Sequence, residues 1–243
     1  MIEITELAVI TLLIAVQSIF GVGLLLFGTP TFILLGYNFP ETLCLLLPIS
    51  LPISIFQFTV SKVKNIKFIN DFNLFCLPFL IFALYYILKT YQNIDFKLYT
   101  SIIIIFFSTL SLLKNKFKIN YKINHTTKRF ILMTIGTIHG LTNLGGSLLA
   151  IFSTSISENK KELSRYFISY GYFIMSLTQI IFLFFFEDNY FELNKLYYLL
   201  IVLIIYFPAQ KFFINFDNKK YSKIINILAL IYGLGIFINT VTS

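Results

Sequence analysis

Two stretches of the chain, residues 7–40 and 130–157, contain no aspartate, glutamate, lysine or arginine, yet neither has the length of one membrane crossing. As straight helices they would measure about 50 Å and about 42 Å at 1.5 Å per residue, against a hydrocarbon core about 30 Å thick. Tilt absorbs part of the second excess and little of the first. Glycines interrupt both, Gly21, Gly23 and Gly28 in one and Gly136, Gly140, Gly145 and Gly146 in the other. Each run is therefore expected to bend or fold back, with its freed backbone groups buried in protein or facing a polar cavity.

Lipid is the solvent such a chain requires. Of its 243 residues 57% are hydrophobic and 12% charged, with a mean hydropathy of +0.82, which is more apolar surface than a water-soluble domain can bury. Six further uncharged runs, 42–61, 72–88, 98–113, 166–186, 196–210 and 224–243, each approach the roughly 20 residues a spanning helix needs. No cleavable leader is expected, because Glu3 and Glu6 stand where a basic region would and the apolar run continues past leader length. Cys44 and Cys76 lie inside apolar runs and read as small core residues, not as a disulfide framework.

The basic residues decide how the long runs are arranged. If each crossed once, the 19 lysines and arginines would divide ten to nine between the two faces. If each folds back, six segments cross and sixteen basic residues share one face, leaving only Lys89, Lys97 and Lys195 on the other. The positive-inside rule selects the second arrangement and makes the sixteen-charge face cytoplasmic. It puts both termini outside and the basic loops inside a cell (inner) membrane. The net charge of +8 thus belongs to loops beside spans, and no nucleic-acid role is assigned.

An internal repeat follows the same layout. Gly23 and Gly28 match Gly140 and Gly145 at an offset of 117, and "SIFQ" (54–57) matches "SLTQ" (176–179) at 122, the difference being placed in the charged loop around "ENKKE". The expected fold is an all-α polytopic membrane protein of two inverted repeats, each a glycine-broken helical hairpin plus three transmembrane helices. The first repeat occupies 1–113, with its hairpin at 7–40 and spans at 42–61, 72–88 and 98–113. A basic cytoplasmic linker fills 114–129. The second repeat occupies 130–243, with its hairpin at 130–157 and spans at 163–186, 194–212 and 222–242.

The order "GVGLLLFGTPTFILLG" then "ETLCLLLPISLPISIFQF", repeated loosely as "HGLTNLGGSLLAIFSTSI" then "ELSRYFISYGYFIMSLTQIIFLF", resembles the sulfite exporter TauE/SafE family of membrane permeases over most of the chain. The resemblance rests on a glycine-rich broken segment opening each half. It implies transport of small, often sulfur-containing anions such as sulfite or sulfonates.

The polar residues inside the apolar runs are the candidates for such a site. At a helix break, glycines Gly28, Gly145 and Gly146 would let backbone N–H groups and the positive end of a half-helix approach an anion; the alternative is close helix packing by small residues. His139 and Asn143, four residues apart, are side-chain donors on one face, and Ser147 adds a hydroxyl. Gln57 and Gln179 are uncharged amides at repeat-related positions, able to donate to an anion without the desolvation cost of a buried charge. Arg165 stands at the mouth of an apolar span, to attract an anion or to snorkel to the interface. Tyr170 and Tyr172 flank Gly171 and either line the cavity or pack. Pro30, Pro48 and Pro52 kink or end helices.

The expected function is a secondary transporter of a small, sulfite- or sulfonate-type anion working by alternating access, with export favoured. Its partners are that anion and membrane lipid, with a homodimer left open and no cofactor or metal required. An intramembrane enzyme is the competing class. It lacks a nucleophile motif with its histidine on a separate element, since "GGSLL" shares its segment with His139. A non-transporting scaffold would leave the broken polar segments without a purpose.

Overall fold

Three asparagines set the phase of the helices. In the computed structural model Asn38 Oδ1 accepts the Glu41 N–H at 2.9 Å while Asn38 N–H donates to Glu41 Oε2 at 2.9 Å, a reciprocal capping box. Asn65 Oδ1 accepts from Phe68 N–H at 2.9 Å and Asn124 Oδ1 from Thr127 N–H at 2.7 Å. The structure describes residues 2–90, 124–157, 160–186 and 190–217 continuously, and single helical positions within 102–109 and 220–238. The elements are α1 (Ile2–Phe20), α2 (Leu24–Leu34), α3 (Phe39–Val60), α4 (Ile66–Phe75), α5 (Leu77–Thr90), α6 (His125–Thr142), α7 (Gly145–Ile156), α8 (Lys161–Phe186), a 3₁₀ turn (Leu193–Tyr197) and α9 (Tyr198–Asn215). Among the described residues there is no strand.

Four stretches, Phe39–Val60, Ile66–Thr90, Lys161–Phe186 and Asn194–Asn215, are long and apolar enough to cross a membrane. The expected spans 98–113 and 222–242 lie outside the continuously described residues. The two overlong runs do break and fold back. Leu13 on α1 and Gly28 on α2 would be about 22 Å apart in an unbroken helix, yet a Cβ on Gly28 would sit 3.2 Å from Leu13 Cδ1. The breaks fall at Gly21–Gly23 and at Asn143–Leu144, the residues between α1 and α2 and between α6 and α7.

Several sequence expectations need correction. Gly28, Gly136 and Gly140 do not break their helices; they lie inside α2 and α6. A Cβ on Gly140 would lie 2.5 Å from the Leu80 carbonyl oxygen and 2.8 Å from Ala83 Cβ, and one on Gly136 would strike the Cys76 carbonyl. These two glycines, one turn apart, let α6 pack backbone-close on α5. Pro30, Pro48 and Pro52 sit within α2 and α3, so of the two expected effects, ending a helix is excluded. The linker stops at Asn124 instead of residue 129, because Asn124 caps α6 and places Lys128 and Arg129 in its first turns. Hairpin and span limits shift by a few residues, α1 starting at Ile2 and α3, capped by Asn38, at Phe39.

The repeat register also changes. α1 ends at Phe20 and α6 at Thr142, α2 ends at Leu34 and α7 at Ile156, and α3 starts at Phe39 and α8 at Lys161. Each pair is 122 residues apart, against the spacing of 117 read from the glycines. Gly23 then matches Gly145, not Gly140. Packing follows the correspondence: α1 lies on α9 and α6 on α5, while α3 lies on α8 and α2 meets α7. At the α3–α8 contact Phe58 stacks on Tyr166 with ring centroids 5.2 Å apart, and from α4 Phe68 stacks on Phe167 at 4.2 Å.

Candidate functional site

The first break is closed by two glutamines. Gly21 turns the chain at φ 80°, and the buried Gln17 reaches across the gap. Its Oε1 accepts the Leu24 N–H at 3.2 Å, and its Nε2 donates to Ser50 Oγ at 2.8 Å. Gln57, on α3, donates from Nε2 to the carbonyls of Gln17 and Ser18 at 2.8 and 3.1 Å. Its amine is thereby consumed by the open end of α1, and its Oε1 has no partner. Arg165 joins this break from α8, its Cγ 3.6 Å from where a Gly21 Cβ would stand.

Arg165 does not snorkel. It is 7% exposed, lies over the Phe213 ring at 3.9 Å and donates from Nη2 to Gln210 Oε1. Its Nη1 has no hydrogen-bond partner, and among the described residues no carboxylate pairs with it. The Phe213 ring and the carbonyl end of α1 offset part of the desolvation of this cation. A buried charge lacking a counter-ion is otherwise penalised by several kcal/mol, at about that order.

The second break is built from uncharged groups. Asn143 ends α6 in a left-handed conformation at φ 60°, its N–H donating to the His139 carbonyl at 2.8 Å. Its Nδ2 donates to Thr29 Oγ1 on α2 at 2.8 Å, tying the two hairpins together. His139 Nε2 lies 3.1 Å from Gln179 Oε1 on α8. Ser147 Oγ turns back to the Leu144 carbonyl at 2.9 Å. Five buried polar atoms here have no partner: His139 Nδ1, Asn143 Oδ1, Tyr172 OH, Ser176 Oγ and Gln179 Nε2. Buried polar atoms are ordinarily paired, so a cluster of this size stands out from the rest of the fold.

The expected site residues thus divide. Gln57 and Arg165 come to the first break, while His139, Asn143, Gly145, Gly146, Ser147 and Gln179 come to the second. Gly28 reaches neither and packs against Leu13 and Leu46. Gly145 and Gly146 do not leave the backbone open: a Cβ on Gly145 would lie 2.5 Å from His139 Cβ, and Gly146 is covered by the Tyr172 hydroxyl. Their small size admits those side chains. Sequence reasoning missed Gln17, Thr29, Ser176 and Gln210, and it treated Tyr172 chiefly as packing. A signal was present in α8, where Arg165, Ser169, Tyr172, Ser176 and Gln179 recur every three or four residues and are all buried, a polar stripe on one helix face.

A separate cavity lies away from both breaks. Of about 290 Å³, it is lined by Tyr37, Glu41, Pro48, Phe191 and Lys195 and opens beside α3 and residues 190–199. Both breaks are packed closed in this conformation. Among the described residues no three histidine, cysteine or acidic side chains gather as metal ligands would. No protein-family model, curated protein or solved structure matches the chain.

Proposed function

We propose that the chain is a secondary transporter that carries a small oxyanion, of sulfite or sulfonate type, across the cell membrane by alternating access, in the manner of TauE/SafE permeases. The observation that carries the reading is Arg165, a buried cation whose Nη1 has no hydrogen-bond partner and which forms no ion pair among the described residues, set beside a helix break. Anion chemistry suits it because only a negative ligand supplies both the missing hydrogen bond and the missing charge.

The packing scheme supports two inverted halves. Each hairpin's leading helix rests on a helix of the other half, α1 on α9 and α6 on α5, and two further contacts join counterparts, α2 with α7 and α3 with α8. Such an arrangement lets one half rock against the other about a central site. Charge supports the outward direction. With basic loops inside and both termini outside, the inner face has sixteen basic residues against four acidic ones, and the outer face three against seven. Anions are drawn to the inner face and repelled from the outer. An inside-negative potential adds about 2.3 kcal/mol per charge at 100 mV in the same sense.

The test is flux of ³⁵S-labelled sulfite from proteoliposomes containing wild type or Arg165→Gln. Wild type is expected to release label far faster than empty liposomes, and Arg165→Gln to lose at least about tenfold of that rate, equal to 1.4 kcal/mol of binding. Wild-type flux no faster than that of empty liposomes, for sulfite and for a panel of sulfonates, would reject the reading and return attention to an intramembrane enzyme.

A further inference from the structure

We propose that the two breaks are separate stations for the same anion, a charged one at Arg165 and an uncharged one at the start of α7, occupied in turn during transport. The proposal rests on the carrier reading above and specifies how that carrier holds its substrate.

The separation is geometric. Arg165 and Gln179 lie fourteen residues apart on one continuous helix, α8, which is about 21 Å at 1.5 Å per residue. A compact oxyanion accepting hydrogen bonds of about 2.8 Å on opposite sides joins donors no more than about 8 Å apart. Along the helix axis the two ends of the stripe are thus more than twice that far apart.

The chemistry of the two ends differs. At the first break the donor is a fixed cation, Arg165 Nη1. At the second no charged side chain is present; α7, twelve residues long, begins at Gly145 with no side-chain cap. The unpartnered Tyr172 hydroxyl lies over Gly146 in its first turn. Tyr172 OH, Gln179 Nε2 and Ser176 Oγ are neutral donors around that positive helix end, a set that binds an anion without a counter-charge. Tyr172 is thereby a substrate-contacting residue, and Gly146 is the residue that makes room for it.

The asymmetry has a functional consequence. The position 122 residues before Arg165 is Leu43, so this cation has no counterpart at that spacing. The charged station binds tightly and the neutral one weakly, as a pathway needs if the ion is to be captured and then let go. Capture occurs at the end where α8 begins, beside Lys160 and Lys161, and release occurs at the station by Gly145, where α7 begins.

Equilibrium dialysis of the purified full-length protein in detergent against ³⁵S-sulfite, kept anaerobic, tests this. Wild type is expected to bind two ions per chain in two phases at least tenfold apart in affinity. Arg165→Gln should remove the tighter phase and leave the weaker. Tyr172→Phe combined with Gln179→Leu should do the reverse. Arg165→Lys, which keeps the charge and guards against misfolding of the glutamine variant, should retain a weakened tight phase. A single phase of one ion per chain, lost in both variants, overturns the two stations while leaving the carrier intact. Absence of both binding and flux in wild type overturns the carrier reading and the stations with it.

Discussion

Gly21 and Asn143 stand 122 residues apart, each one residue after the leading helix of a hairpin, and both hold a left-handed backbone, at φ 80° and φ 60°. Glycine takes that conformation without penalty, and asparagine is among the few other residues that do so routinely. The two turns share a left-handed residue of different type. In the second half the side chain gained by using asparagine is the one that bonds Thr29.

Substitutions at this pair separate backbone from side chain. Gly21→Ala should destabilise by about 1–2 kcal/mol, the strain of an ordinary residue in that region. Asn143→Gly keeps the turn and loses only the Thr29 bond, about 0.6 kcal/mol for a polar contact in lipid. Thermal denaturation in detergent should therefore show the larger drop in Tm for Gly21→Ala. An equal or greater drop for Asn143→Gly would mean that the bridge between hairpins matters more than the turn.

A second pair at the same spacing has opposite charges. Glu6, on α1, is buried and accepts from Tyr37 OH at 2.6 Å, Tyr198 OH at 2.9 Å and Lys195 Nζ at 3.1 Å. Lys128, on α6, pairs with Asp71 at 2.6 Å. Burial and the bond to Glu6 push the Tyr37 hydroxyl up to about 12, so it stays a donor at neutral pH. Each pair ties a hairpin to the other half. Glu6→Ala should lower stability by about 2 kcal/mol, since three donors lose one acceptor. Lys128→Ala, whose pair is more exposed, should lower it by about 1 kcal/mol. Equal effects would show that the Glu6 hub adds nothing beyond one ion pair.

The sequence made some of this legible and hid the rest for physical reasons. Length against bilayer thickness located both folded-back runs, and the buried glutamines announced themselves as polar groups in apolar helices. Glycine, however, has several uses in lipid. Gly21 and Gly23 turn the chain, Gly136 and Gly140 admit a neighbouring backbone, and Gly146 admits a tyrosine ring, and one letter does not distinguish these. The spacing of 122 was hidden because it sets Gly21 against Asn143 and Gln17 against His139, residues that share no identity. Arg165 read equally well as a snorkelling residue, and only the packing of Phe213 and Gln210 around it decides otherwise.

Gly146 offers a direct test of packing. Adding a methyl group there drives it into the Tyr172 hydroxyl, so Gly146→Ala should lose about 1–3 kcal/mol as an overpacked core position does. Tyr172→Phe removes the atom nearest the added methyl and should restore part of that stability in the double variant. If the double variant is no more stable than Gly146→Ala alone, the hydroxyl is not what the glycine accommodates.

Gln57 and Gln179 occupy matching positions, yet their hydrogen bonds assign them different work. Gln57 gives both of its bonds to carbonyls at the end of α1, so Gln57→Leu strands buried acceptors and should lower stability by about 1–2 kcal/mol. Gln179 offers only its oxygen to His139 and keeps Nε2 unpaired, so Gln179→Leu removes a donor available to the ion. In flux measurements on reconstituted protein, Gln179→Leu should raise the half-saturating sulfite concentration roughly tenfold, or about 1.4 kcal/mol, with a small change in Tm. Gln57→Leu should show the reverse balance, a clear loss of Tm with half-saturation changed less than about twofold, under 0.5 kcal/mol. Matching effects of the two substitutions on both quantities would show that the glutamines act alike, and the division between a positioning residue at the first break and a binding residue at the second would fail.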